Sequence, residues 1–204
     1  MRVSPAYLVI GVLSWPLVKG VFRLRASGVE RLPKGGFVLS ANHISNFDPW
    51  ALGYPLFPRR QLRFMGKVEL FNPVLGPILR AGGAFPVRRG ERDAEAIDTA
   101  VALAQAGEVV AIFPEGTRRV KGLVKKREAR PHTGAARVAL EAEVPLVPAG
   151  IAGTDRLSRL GHIRVAYGDP VALDDLRAEE DERRAAQAAT ERLFEAIHAL
   201  EAAL

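Results

Sequence analysis

Two residues able to do proton chemistry stand five positions apart in the stretch FVLSANHISNFDPW at residues 37–50: His43 and Asp48. A carboxylate bonded to one imidazole nitrogen fixes the tautomer and leaves the other nitrogen to accept a proton. Such a pair can deprotonate an alcohol as it attacks a carbonyl. A plainer reading stands beside this one. Aspartate before proline is what a helix N-cap looks like, and a polar loop can hold a histidine without using it. One carboxylate can serve both ends, because it has two oxygens and several acceptor sites.

Other polar clusters follow apolar runs. FPEGTRR at residues 113–119 ends the strongest strand pattern of the chain. Pro114 and Gly116 impose a turn there, and Glu115 and Arg118 fall at the C-terminal mouth of that strand, where open α/β sheets bind ligands. The planar fork of Arg118 suits two phosphate oxygens, although a solvated arginine on a β-turn fits the same letters. GGAFPVRR at residues 82–89 places Arg88 and Arg89 after a short strand, GKVEL contributes Lys67, and VPLVPAG at residues 144–150 reads as a buried strand.

Composition narrows the chemistry. The 204 residues contain no cysteine, so there is no thiolate nucleophile, disulfide or cysteine metal site, and no cluster has metal-ligand spacing. Lysine and arginine outnumber acids by 29 to 23, with the excess concentrated in residues 59–92 and 117–137, while the tail from residue 174 is acidic. Two basic segments point to an anionic partner. Nucleic acid fits poorly, since no nucleic-acid motif is present and few aromatics interleave the cations.

The elements that must position these groups read as an α/β domain: a mixed central sheet flanked by helices, over residues 25–204. Strands are expected at FRLRASGVE, FVLSA, QLRFMG, AFPVRR, EVVAIFP, VPLVPAGI and HIRVAYG. Helices are expected from Asp48 with Pro49 at the first position, through NPVLGPILRAGG, over DAEAIDTAVALAQAG with Gly107 as its stop, over TGAARVALEA, and from residue 179 to the C-terminus. Residues 1–24 form a separate expectation. The uncharged run 4–18, with Ser4 as N-cap and Pro5 at the first position, spans about 22 Å as a helix, short of the ~30 Å hydrocarbon core, and Pro16 should end or kink it. It reads as an interfacial membrane helix with Tyr7 and Trp15 as amphipathic side chains and Arg2, Lys19, Arg23 and Arg25 near lipid headgroups, a buried packing helix being the alternative.

Taken in order, these blocks resemble the glycerolipid acyltransferases of the lysophosphatidic acid acyltransferase (PlsC) type. The NH-x4-D block corresponds to residues 42–48, the second block to Gly83, Phe85 and Arg88, the FPEGTR block to residues 113–118 and the apolar-proline block to residues 144–148. The resemblance implies that His43 is a general base on a glycerol hydroxyl and Asp48 its orienting carboxylate. It implies a substrate-binding set of Lys67, Arg88, Glu115, Gly116, Thr117 and Arg118, with the cations on the acceptor phosphate. The implied reaction moves an acyl group from acyl-CoA or acyl carrier protein to the sn-2 hydroxyl of 1-acyl-sn-glycerol 3-phosphate, giving phosphatidic acid, with no cofactor or metal. The implied setting is the cytoplasmic face of a membrane; the N-terminal segment is short beside family members with a full membrane-spanning helix, which favours monotopic attachment. PHTGAA departs from the family, putting His132 and Thr133 where lysines are common. A different acceptor lysophospholipid or amphipathic alcohol, a thioester hydrolase, and a non-catalytic module for anionic lipid are the alternatives.

Overall fold

A computed structural model describes residues 3–87, 94–115 and 131–204 of the chain. Among the described residues, seven strands form one sheet: β1 (Arg25–Ser27), β2 (Phe37–Ala41), β3 (Leu62–Lys67), β4 (Ala84–Val87), β5 (Val109–Ile112), β6 (Leu146–Ala152) and β7 (Arg164–Tyr167), in the spatial order β1-β7-β6-β2-β5-β3-β4. All neighbours are parallel except β6 and β7. The sheet is therefore mixed, as expected, and the C-terminal ends of β2 to β6 share one edge. The central trio β6-β2-β5 is apolar but for Ser40, because it is covered on both faces.

The helices are α1 (Pro5–Trp15), α2 (Asp48–Gly53), α3 (Leu75–Ala81), α4 (Ala94–Gln105), α5 (Gly134–Glu141), α6 (Asp174–Arg177) and α7 (Glu182–Ala202). One core cluster joins Val18, Phe22 and Leu24, which follow α1, to α2 and to Phe37, Leu39, Val109 and Ala111 of the sheet. The opposite face carries Val38, Val110 and Leu146 against α4, α5 and α7. Helix α1 lies on the first face, where Gly11 meets the Phe57 ring so closely that a Cβ there would stand 2.2 Å from a ring carbon. Tyr7 donates to the Arg60 carbonyl at 3.1 Å, and burial pushes its phenol up to about 12, with Tyr54 adding to the shift.

The α3 segment reaches the same face. Leu62 and Phe64 of β3 face the first cluster, and Gly66, two residues further, lies under the Phe71 ring that leads into α3. Ser4 ties the two helices together. Its Oγ donates to the Ala81 carbonyl at 2.8 Å, its backbone N–H donates to Gln61 Oε1 at 3.0 Å, and Gln61 Nε2 donates to the same carbonyl at 2.7 Å.

Several boundaries differ from the sequence reading. Strand β1 covers only Arg25–Ser27, all exposed; the apolar Phe22 and Leu24 precede it and fill the core instead. Helix α1 does end before Pro16, as expected, although the chain continues as a π-helical turn over Pro16–Val21. The tail helix begins at Glu182, where Asp181 accepts from the N–H groups of Arg183 and Arg184, and the short α6 precedes it. In α2, Asp48 is itself the first helical residue, which moves Pro49 to the second position.

Candidate active site

Strand register brings the chemistry together. Ser40 of β2 pairs with Ile112 of β5, and its hydroxyl donates to the Ile112 carbonyl at 2.7 Å. The chain segments that leave these strands thus emerge level with each other. One carries His43, the other Phe113 and Glu115. The two aromatic rings stack, His43 on Phe113, with centroids 4.3 Å apart and planes 21° from parallel. Glu115 is buried.

Just before the histidine, Asn42 is fully buried and bonds both ways to the backbone of β6. Its Nδ2 donates to the Ile151 carbonyl at 2.9 Å, and the Ile151 N–H donates to its Oδ1 at 2.7 Å. The side chain acts as one more rung between β2 and β6 and fixes the exit direction of the loop. His43 then meets Asp48, Nδ1 to Oδ2, at 2.8 Å. A carboxylate only accepts, so Nδ1 carries the hydrogen, and in the neutral ring Nε2 then keeps the lone pair. Oδ2 also accepts from the N–H groups of Ile44 and Ser45, each at 2.7 Å, and Oδ1 accepts from the Thr154 hydroxyl at 2.5 Å.

These bonds correct the N-cap reading of Asp48. Its carboxylate reaches backward to the loop, not forward to the helix. The N–H groups of Trp50 and Ala51 already donate to the Phe47 carbonyl, and Pro49 has none to offer. Ser45 Oγ accepts from the Phe47 N–H at 3.2 Å and shapes the same turn.

Of the other sequence-chosen residues, Lys67 ends β3, exposed, in register with Val87 of β4. Arg88, Gly116, Thr117 and Arg118 lie outside the described residues. The N–H of His132 donates to the Pro114 carbonyl at 2.8 Å, so the chain resumes beside the end of β5. His162 faces Arg23 at 3.2 Å and His198 abuts Phe194; both are exposed. Among the described residues no group of three or more His, Cys, Asp and Glu side chains is placed to hold a metal ion. Two residues of the site were not singled out from the sequence: Thr154, which follows Gly153 at the end of β6, and Asn42 as a structural rung. A Gly-Thr step closing an apolar strand at the same mouth was the available signal for the first.

The geometry is that of an α/β domain with an oriented imidazole at the C-terminal mouth of its sheet. The Acyltransferase family model matches residues 23–152, and the chain belongs to that family. The 1-acyl-sn-glycerol-3-phosphate acyltransferase of Bacillus subtilis is 35% identical over 177 residues, covering 84% of this chain and 85% of that protein. The enzyme of the same name from Streptococcus pneumoniae is 30% identical over 154 residues, 72% of this chain, which spans only 54% of that longer protein. The crystal structure of the 1-acyl-sn-glycerophosphate acyltransferase PlsC from Thermotoga maritima shares the fold, with a TM-score of 0.64 over 96% of this chain and 78% of that one at 23% identity.

Proposed function

We propose that the chain transfers a fatty acyl group from a thioester, carried by coenzyme A or acyl carrier protein, to the sn-2 hydroxyl of 1-acyl-sn-glycerol 3-phosphate. The observation that carries this reading is the His43–Asp48 bond at the sheet mouth, in a chain matched over most of its length by the Bacillus enzyme of that name. His43 Nε2 takes the hydroxyl proton as the oxygen attacks the thioester carbonyl. The tetrahedral adduct collapses, the carbon–sulfur bond breaks, and the proton passes from the imidazolium to the departing sulfur. Asp48 holds the ring and offsets its transient positive charge. No acyl-enzyme is needed, which suits a chain without cysteine.

Lys67 supports a phosphate-binding role by its position beside the end of β4, and Arg88 and Arg118 are its proposed partners from the sequence motifs. Two measurements test the acceptor. Transfer to 1-acylglycerol 3-phosphate should far exceed transfer to unphosphorylated 1-acylglycerol. Arg118→Ala should raise KM for the phosphorylated acceptor about 10-fold or more, as expected for a lost charged hydrogen bond. An unchanged KM would remove Arg118 from the phosphate site.

The same reading places the enzyme on a membrane surface. No helix among the described residues is long and apolar enough to cross a bilayer. Yet α1 buries only Gly11 and exposes Val9, Val12, Leu13 and Trp15, and the α3 segment on the same sheet face exposes Val74, Leu75 and Ile78. Apolar surface that large on one side supports lipid contact. The polar groups where the two helices meet are bonded within the protein through Ser4, Gln61 and Ala81, as a lipid-facing surface requires. Val12 and Leu13 are 64% and 75% exposed, so changing both to glutamate should leave the fold intact and abolish sedimentation with phosphatidylglycerol vesicles. Wild-type sedimentation of that variant would refute the anchor.

A further inference from the structure

We propose that Thr154 is a positioning residue for acyl transfer, acting through Asp48; this rests on the reading of His43 and Asp48 as the catalytic pair. Three donors, His43 Nδ1 and the Ile44 and Ser45 N–H groups, converge on Oδ2 of the carboxylate. A carboxylate gripped at one oxygen can still pivot about it. The Thr154 hydroxyl supplies the second point of attachment, on Oδ1, at 2.5 Å. Together they fix the plane of the carboxylate and hence the direction in which Oδ2 meets the imidazole. Both partners are buried, Asp48 at 0% and Thr154 at 2% exposure, so water does not substitute readily for the hydroxyl.

The local fold is arranged to deliver this hydroxyl. Thr154 opens a 3-10 segment at the end of β6, just after Gly153, whose φ of 89° lies in the left-handed region. A Cβ on Gly153 would come within 2.1 Å of the His162 carbonyl oxygen, so only glycine allows the chain to turn here and bring Thr154 under the loop. The same strand holds Asn42 through Ile151. The end of β6 thus clamps the loop of the pair at both ends, at Asn42 and at Asp48. Thr154 touches neither reacting atom, and its effect is on the aim of His43.

The test compares Thr154→Val, which keeps the shape without the hydroxyl, with Thr154→Ser, which keeps the hydroxyl. In Thr154→Val, kcat should fall about 10- to 100-fold, the range for stranding one buried partner of a charged group, with KM for both substrates within about twofold. Thr154→Ser should recover kcat to within about threefold of wild type. A second readout is independent of turnover. The Nδ1–H resonance of His43, identified by its loss in His43→Ala, should move in Thr154→Val and return in Thr154→Ser. Wild-type kcat in Thr154→Val, equal losses in the two variants, or an unmoved Nδ1–H would each overturn the role of Thr154. Full turnover in His43→Ala would instead overturn the catalytic pair itself. If Thr154→Val does not fold, Thr154→Ala removes the same hydroxyl and is read in the same way.

Discussion

His43→Ala should yield a folded protein whose acyl transfer is about 10²–10⁴-fold below wild type, the contribution of a well-placed general base. The fold survives because the residues around His43 remain satisfied. Asp48 keeps the Ile44 and Ser45 N–H groups and the Thr154 hydroxyl, and Asn42 keeps both bonds to Ile151. What is lost is one charged hydrogen bond and the stacking on Phe113 at a partly open position, worth about 1–2 kcal/mol of stability at most. Far-ultraviolet circular dichroism and a thermal melt report the fold, and transfer of radiolabelled acyl groups reports the rate. KM values should change little, since the imidazole acts mainly as the hydroxyl is deprotonated. Turnover near wild type in this variant would exclude His43 as the base.

How much of this was visible in the letters depends on how far apart the partners lie. The central strands were legible because each is buried on both faces and therefore reads as an apolar run: Phe37–Ala41, Val109–Ile112 and Leu146–Ala152. The edge strand Arg25–Ser27 is shorter at both ends than the run 22–30 expected for it. It has no buried side chain to mark it, and only pairing with β7 defines it. The His43–Asp48 bond was legible because five residues and one turn close it. Asn42 with Ile151 and Asp48 with Thr154 span 109 and 106 residues. Those contacts exist only because β6 lies beside β2, and strand order is a property of the whole sheet that no local pattern encodes. The N-cap reading of Asp48 failed for a related reason. Local pattern favours an aspartate capping the helix that follows, but here the donors behind it outcompete a first turn whose N–H groups are already taken.

That arrangement makes the two obvious substitutions of Asp48 behave differently. In Asp48→Asn the amide has one oxygen and one nitrogen to distribute between two sites. The Oδ2 site faces two backbone N–H donors at 2.7 Å, which would repel an NH₂ group. The oxygen should therefore settle there and continue to accept from His43 Nδ1. The NH₂ group falls opposite Thr154, whose hydroxyl can rotate to accept. The tautomer of His43 is preserved and only the negative charge is lost, so kcat should fall by about 10- to 1,000-fold with near wild-type stability. Asp48→Ala strands the Ile44 and Ser45 N–H groups and the Thr154 hydroxyl in a site that is 0% exposed at its centre. Its stability should drop by about 3–5 kcal/mol, from several buried groups left without partners, and its activity should be as low as that of His43→Ala. Thermal or urea unfolding of the two variants side by side measures the gap. Equal stabilities would mean that the carboxylate does not organise the loop. An Asp48→Asn variant as inactive as His43→Ala, with its Nδ1–H resonance lost, would show instead that the amide had turned its NH₂ group toward the imidazole.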